Sequence, residues 1–165
     1  MSRRLIIMRH ARSAWEGPRS SDRERPLDER GRLEAPRVAT RLVELGWIPD
    51  AIHSSDARRT RETAELILEV LAPAPALTFD PDLYLAGLLA LRAAAEAWDP
   101  SWSTVLALGH NPGWQDAASV LCGSAVGMGT ANAVLLEAPP GAPSGWSEAL
   151  VGGWSLVDVL RPEEP

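Results

Sequence analysis

Three strand-like runs constrain this chain most, because each ends at residues able to do chemistry. Leu5-Ile6-Ile7-Met8 leads into Arg9-His10, residues 51–54 lead into an arginine-dense stretch, and residues 104–108 lead into Gly109-His110. A short, continuous apolar run suits a strand buried on both faces of a parallel sheet. Ligands in open α/β sheets bind outside the carboxyl ends of the strands. Two histidines and several arginines at three strand ends therefore predict one anion-binding pocket, suited to phosphoryl transfer.

The remaining pattern supplies the partners of those strands. Residues 16–26 are polar and proline-punctuated, hence a loop. Asp28 is a good N-cap for a helix reaching about residue 45, with Ala35, Val38, Ala39, Leu42 and Leu45 at helical spacing and Gly46 as its stop. Pro36 is expected to kink that helix or delay its start. Asp56 is expected to cap a second helix to residue 71, buried through Ala64, Ile67, Leu68 and Leu71. A strand near 77–79, a helix over 88–98, a helix opened by Asn111-Pro112 and stopped at Gly123, and β-like stretches at Ala133–Glu137 and 154–160 complete the chain. A Pro/Gly/Ser loop separates the last two. The expected fold is α/β: a mostly parallel central sheet with helices on both faces, built as a single domain over 1–165.

Composition excludes several functions. All 16 basic residues are arginine, so no P-loop lysine, Schiff base or kinase-type lysine exists. Net charge is −6. Residues 1–65 hold 14 Arg against 11 acids, and residues 66–165 hold 2 Arg against 11 acids. That leaves no broad basic face for nucleic acid. No apolar run nears the roughly 18 residues of a membrane helix. The opening Met1-Ser2-Arg3-Arg4 and its four apolar followers are too short for a signal-peptide core. The single cysteine, Cys122, suits a reducing cytoplasm. The three histidines and one cysteine lack metal-ligand spacing, so a catalytic transition metal is not expected. The glycine-rich stretch 123–130 lacks a Gly-Lys-Ser/Thr ending and reads as a turn.

Five segments together resemble the histidine phosphatase superfamily, with its phosphoglycerate-mutase-like three-layer α/β/α sandwich. Within it, they resemble the short SixA-type phosphohistidine phosphatases. The segments are Leu-Ile-Ile-Met-Arg9-His10-Ala11, Asp22-x-x-Arg25-Pro26-Leu27, Arg30-Gly31, Ser54-Ser55-x-x-x-Arg59-x-x-x-Thr63-Ala64 and Leu108-Gly109-His110-Asn111-Pro112. The resemblance implies that His10 attacks phosphorus and becomes a transient phosphohistidine. It implies that Arg9, Arg59 and His110 surround the phosphoryl oxygens, with no cofactor. Planar guanidinium forks suit that task, since each donates two parallel bonds to phosphate. Arg25 is either a further phosphate contact or a solvated loop arginine. Arg58 and Arg61 are expected on the surface, and His53 as a packed or edge histidine rather than a ligand. Trp15 is expected as a hydrophobic plug, the alternative being a pocket wall.

Substrate class turns on the proton donor. Cleaving an alkyl phosphate expels an alkoxide and needs a positioned acid. The acids of 80–98 (Asp80, Asp82, Glu96) sit in no recognisable acid motif, leaving Asp22 or His110 as proton sources. A P–N bond expels imidazole and relaxes that demand. The expected partner is thus a protein-borne phosphohistidine. A small phosphomonoester substrate and a non-catalytic phosphate-binding module stay open as alternatives, and the oligomeric state is unassigned.

Overall fold

In the computed structural model, which describes residues 2–15 and 21–163, a six-stranded sheet is ordered β3-β2-β4-β1-β5-β6. The strands are β1 (Arg4–Arg9), β2 (Ala51–Ser55), β3 (Ala76–Asp80), β4 (Thr104–Gly109), β5 (Ala133–Glu137) and β6 (Ser155–Leu160). The first four are mutually parallel, and β5 and β6 extend the β1 side antiparallel. The helices are α1 (Glu29–Glu44), α2 (Arg58–Leu68), α3 (Leu88–Ala95), α4 (Gly113–Cys122) and the short α5 (Trp146–Ala149).

Side-chain alternation along the central strands separates two cores. Ile6, Met8, Ile52, Leu106 and Leu108 pack under α1 and α2, through Ala35, Val38, Leu42, Ala64 and Ile67. Leu5, Ile7, Val105 and Ala107 face the other way, onto Leu91, Trp114, Leu121 and Trp146 of α3, α4 and α5. Both faces are covered, which makes the three-layer α/β/α sandwich. It also explains why the β1 and β4 sequences are uninterruptedly apolar. Each buried Leu or Ile side chain contributes about 1.5–3 kcal/mol.

Neighbouring strands β1 and β4 are followed by helices on opposite faces, α1 on one and α4 on the other. This is the switch point of the sheet, where a crevice opens outside the strand ends. Gly109, last in β4, lies flat under α4: a Cβ there would come within 2.6 Å of the Trp114 ring.

Several element boundaries differ from the sequence reading. Asp56 does not cap α2; Ala57 holds that position, while the Asp56 carboxylate accepts from Arg23 instead. α2 stops at Leu68, yet Leu71 stays buried because its N–H still reaches the Ile67 carbonyl at 3.1 Å. The helix expected over 88–98 ends as α3 at Ala95. Beyond it, tighter i→i−3 bonds, such as Trp98 N to Ala95 O at 3.1 Å, take over. Pro112 rather than Asn111 holds the cap position of α4, although the Asn111 Oδ1 still accepts from Gln115 N at 3.3 Å. α1 begins directly after Asp28, whose side chain accepts from Gly31 N at 2.8 Å, so Pro36 delays nothing. The expected Pro/Gly/Ser loop contains the start of α5. The loop expected over 16–26 falls partly outside the described residues; within it, Asp22–Glu24 forms a 3-10 turn.

Candidate active site

Register brings the chemical residues together. Arg9 pairs with Gly109 across β1 and β4, and Ser54 with Leu108 across β2 and β4. His10, His110 and Ser55 therefore emerge side by side. The backbone at His10 is pinned twice, by its own N–H to Gly109 O (3.1 Å) and by Ala131 N–H to its carbonyl (2.9 Å). The imidazole rings of His10 and His110 lie with centroids 5.4 Å apart.

His10 is 5% exposed, and its Nδ1 lies 2.7 Å from the Ala11 carbonyl. A carbonyl only accepts, so Nδ1 carries the hydrogen and Nε2 presents a bare lone pair. Arg59 Nε–H donates to that Nε2 at 3.3 Å, in keeping with this tautomer. Burial pushes the His10 pKa down to about 3 against the raising effect of the Ala11 bond, with smaller lowering from the charges of His110, Arg59 and Arg9. The ring is thus unprotonated at neutral pH.

Arg59, in the first turn of α2, is 3% exposed. Its Nη1 donates to the Asp22 carbonyl (2.6 Å) and its Nη2 to Asp22 Oδ2 (3.0 Å). Tyr84 O–H donates to the same Oδ2, and Arg25 Nη1 donates to Oδ1 at 3.1 Å. Partial burial raises the Asp22 pKa, but the hydrogen bonds from Tyr84 and Arg59 outweigh it and hold the carboxyl below its usual range. Asp22 is consequently an ionised clamp for arginines, a poor proton donor near neutrality. Tyr84 is shifted up, by burial first and then by Asp22, so it keeps its own proton.

His110 is 1% exposed, with Nε2 2.8 Å from Ser55 Oγ. Ser55 Oγ also accepts from Ala57 N–H at 3.3 Å. With the Ser55 hydroxyl hydrogen directed at His110 Nε2, the ring hydrogen lies on His110 Nδ1. Burial, then the charge of Arg59, lowers its pKa to about 3, against a raising effect of Asp22. Arg9 Nη1 donates to Met128 O at 3.1 Å. Burial and the Arg59 charge lower the pKa of Arg9.

These side chains line a cleft of about 400 Å³ that includes Arg9, His10, Ser13, Asp22, Arg25, Arg59, Leu85, His110, Asn111 and Thr130. A neighbouring cleft of about 800 Å³ shares Arg12 and Thr130 with it. Three cleft residues keep a buried nitrogen without a protein partner: Arg9 Nε, Arg25 Nε and His110 Nδ1. Donors in that state want acceptors, and an oxyanion is all acceptor. Among the described residues, no group of three or more His, Cys, Asp or Glu could hold a metal ion.

The sequence-chosen set Arg9, His10, Arg25, Arg59 and His110 thus converges on one cleft. Trp15 neither plugs the core nor lines this cleft. It is 72% exposed, with the Arg25 guanidinium 5.1 Å from its ring, so a surface cation rather than the core covers it. His53 is packed: Nε2 lies 2.8 Å from Asp80 Oδ2, and Nδ1 accepts from Trp98 Nε1 at 2.8 Å. Arg58 and Arg61 stay on the helix surface beside Glu62 and the Asp56 carbonyl. Tyr84, Leu85, Met128 and Thr130 belong to the site without having been singled out. The stretch read as a simple turn buttresses it, since Met128 O also accepts from Asn111 Nδ2 at 2.8 Å.

Both buried rings carry a pH signature. Their folded pKa values lie below the ordinary 6.5, so between about pH 6.5 and 3 the unfolded chain binds protons that the folded chain does not. The stability they permit is complete above that window and declines as pH falls through it. Nitrogen-detected NMR is expected to find both rings neutral at about pH 5, with the thermal midpoint falling on acidification below about pH 6.5. Rings titrating near 6.5 would contradict the assignment.

Comparison with known proteins places the fold. A family model described as histidine phosphatase superfamily (branch 1) matches residues 5–84, from β1 to Tyr84. An uncharacterized chloroplastic protein of Arabidopsis thaliana is 38% identical over 177 residues, spanning 99% of this chain and 79% of that protein. A solved structure described as the protein histidine phosphatase SixA complexed with tungstate superimposes with a TM-score of 0.76. It is 20% identical and covers 96% of this chain and 97% of its own. A mycobacterial glucosyl-3-phosphoglycerate phosphatase superimposes at 0.66 with 21% identity, covering 95% and 98% of the two chains.

Proposed function

This chain belongs to the histidine phosphatase superfamily, and from that premise we propose that it hydrolyses phosphohistidine on a protein through a phosphohistidine of its own at His10. The observation that carries the reading is the His10 Nε2 lone pair, left without a hydrogen by the tautomer and kept unprotonated by burial, within reach of Arg59 Nε.

In the first step His10 Nε2 forms a bond to phosphorus while the P–N bond to the substrate imidazole breaks. The departing ring takes a proton on the released nitrogen, from His110 or from solvent, and leaves neutral. In the second step water attacks phosphorus, the P–Nε2 bond breaks, and inorganic phosphate departs. Arg9, Arg59 and His110, which line the His10 cleft, would donate to the equatorial oxygens, and Arg25 would add a further guanidinium. Charge stabilisation comes from these guanidinium groups, so the reaction needs no metal.

The leaving group selects the substrate. Asp22 is held ionised and Tyr84 gives its hydrogen to Asp22, so neither is a ready acid for an alkoxide. His110 is the remaining proton source, and a bound phosphoryl dianion would raise its pKa from about 3. A substrate whose leaving group is itself basic, such as imidazole, depends least on such help. Small phosphomonoesters form the second reading, favoured by the adjoining polar cleft, which offers room for a sugar-like group. A purely phosphate-binding module has no use for a histidine kept unprotonated.

Parallel turnover of a phosphohistidine-bearing protein and of an alkyl ester such as glycerol phosphate tests the reading. The first is expected to be preferred by at least roughly tenfold in kcat/KM, a leaving-group effect of about 1.4 kcal/mol in barrier. Chelation with EDTA should leave both rates unchanged. Preference for the ester would replace phosphohistidine with a small-molecule substrate, and loss of activity on chelation would overturn metal independence.

A further inference from the structure

Charge and phosphate chemistry do not account for Leu85. Among the described residues, it is the one large apolar residue lining the His10 cleft, and it is 56% exposed. Leu83, two residues earlier, is fully buried and already supplies the packing of this segment.

The backbone at Leu85 is costly. Ala86 N–H reaches the Leu83 carbonyl at 3.3 Å, Tyr84 has φ −64° and ψ 119°, and Leu85 has φ 51°. Those angles describe a type II turn, whose third residue is ordinarily Gly or Asn because a Cβ is strained at positive φ. The turn is clamped from both sides. Tyr84 bonds Asp22, and Ala86 lies so close to α4 that a Cβ on Gly113 would sit 1.8 Å from its carbonyl oxygen. A strained leucine exposed to solvent serves neither the turn nor the core.

We propose that Leu85 is a specificity-determining residue that packs on the imidazole ring leaving phosphorus; this rests on the phosphohistidine reading above. In an in-line displacement, nucleophile and leaving group lie on opposite sides of phosphorus. His10 is buried at the cleft floor, so the leaving group points toward the mouth, where Leu85 is exposed. Among the described residues, every other side chain lining the cleft is polar or charged, so Leu85 alone offers a purely aliphatic contact.

The test uses Leu85→Gly and Leu85→Asn, both suited to positive φ, with free phosphohistidine and with phosphoramidate. Both substrates break a P–N bond, but phosphoramidate releases ammonia and has no ring. Expected is a roughly tenfold fall in kcat/KM on phosphohistidine and a change within about twofold on phosphoramidate, the scale of one apolar contact. The thermal midpoint should stay at or above that of the wild type. Equal losses on both substrates, a lowered midpoint, or no loss on either would overturn the assignment while leaving the phosphohistidine reading intact. Wild-type protein inactive on both free and protein-borne phosphohistidine would overturn both.

Discussion

His10→Ala is expected to lose on the order of 10⁴-fold or more in kcat/KM, because it removes the atom that bonds to phosphorus rather than one that steadies it. Rapid acid-free quench of the wild type should trap an acid-labile phosphoryl group on His10, absent from the variant. The fold should survive the change. His10 is held through its backbone, by Gly109 and Ala131, and its ring adds two hydrogen bonds, one donated to the neighbouring Ala11 carbonyl and one accepted from Arg59 Nε. Binding of a phosphate-like oxyanion such as tungstate should persist in the variant, since Arg9, Arg59, Arg25 and His110 remain. That combination, binding without turnover, separates a nucleophile from a structural histidine. Unchanged phosphate release by His10→Ala would remove the covalent mechanism.

The parts of this site legible in the sequence are those set by local pattern. The apolar runs of β1 and β4 announce strands buried on both faces, and a strand end followed by a helix announces a ligand-binding edge. His10, Arg59 and His110 occupy such ends, so their convergence follows from strand order and register. What stayed hidden depends on contacts distant along the chain. Tyr84 meets Asp22 across a separation of 62 residues, and neither residue has a periodicity that points to the other. Asp22 was weighed as an acid, but its surroundings of guanidinium and phenol groups make it an anchor. Trp15 misleads because burial is the usual fate of so large a side chain, whereas here a loop arginine covers it. The four-residue α5 is too short to display a period within its Pro/Gly/Ser surroundings.

Arg59 joins the phosphate site to that anchor, which gives its removal a compound effect. One guanidinium donates to His10 Nε2, to the Asp22 carbonyl and to the Asp22 carboxylate. Arg59→Ala should cost on the order of 10³-fold in kcat/KM, the scale of losing a charged donor that stabilises transferring oxygens. Tungstate affinity should fall with it. Arg59→Lys should recover little, because a single ammonium cannot point donors at His10 and at both oxygens of Asp22 from one plane. Two titrations should move as well. Arg59 is among the charges that depress His10, and its hydrogen bond helps hold Asp22 low, so both pKa values should rise in the alanine variant. The acidic limb of the kcat/KM profile would then shift toward neutrality, as a proton on His10 Nε2 blocks attack. Equal tungstate affinity and an unshifted acidic limb would detach Arg59 from the oxyanion and leave it as a tether for Asp22 alone.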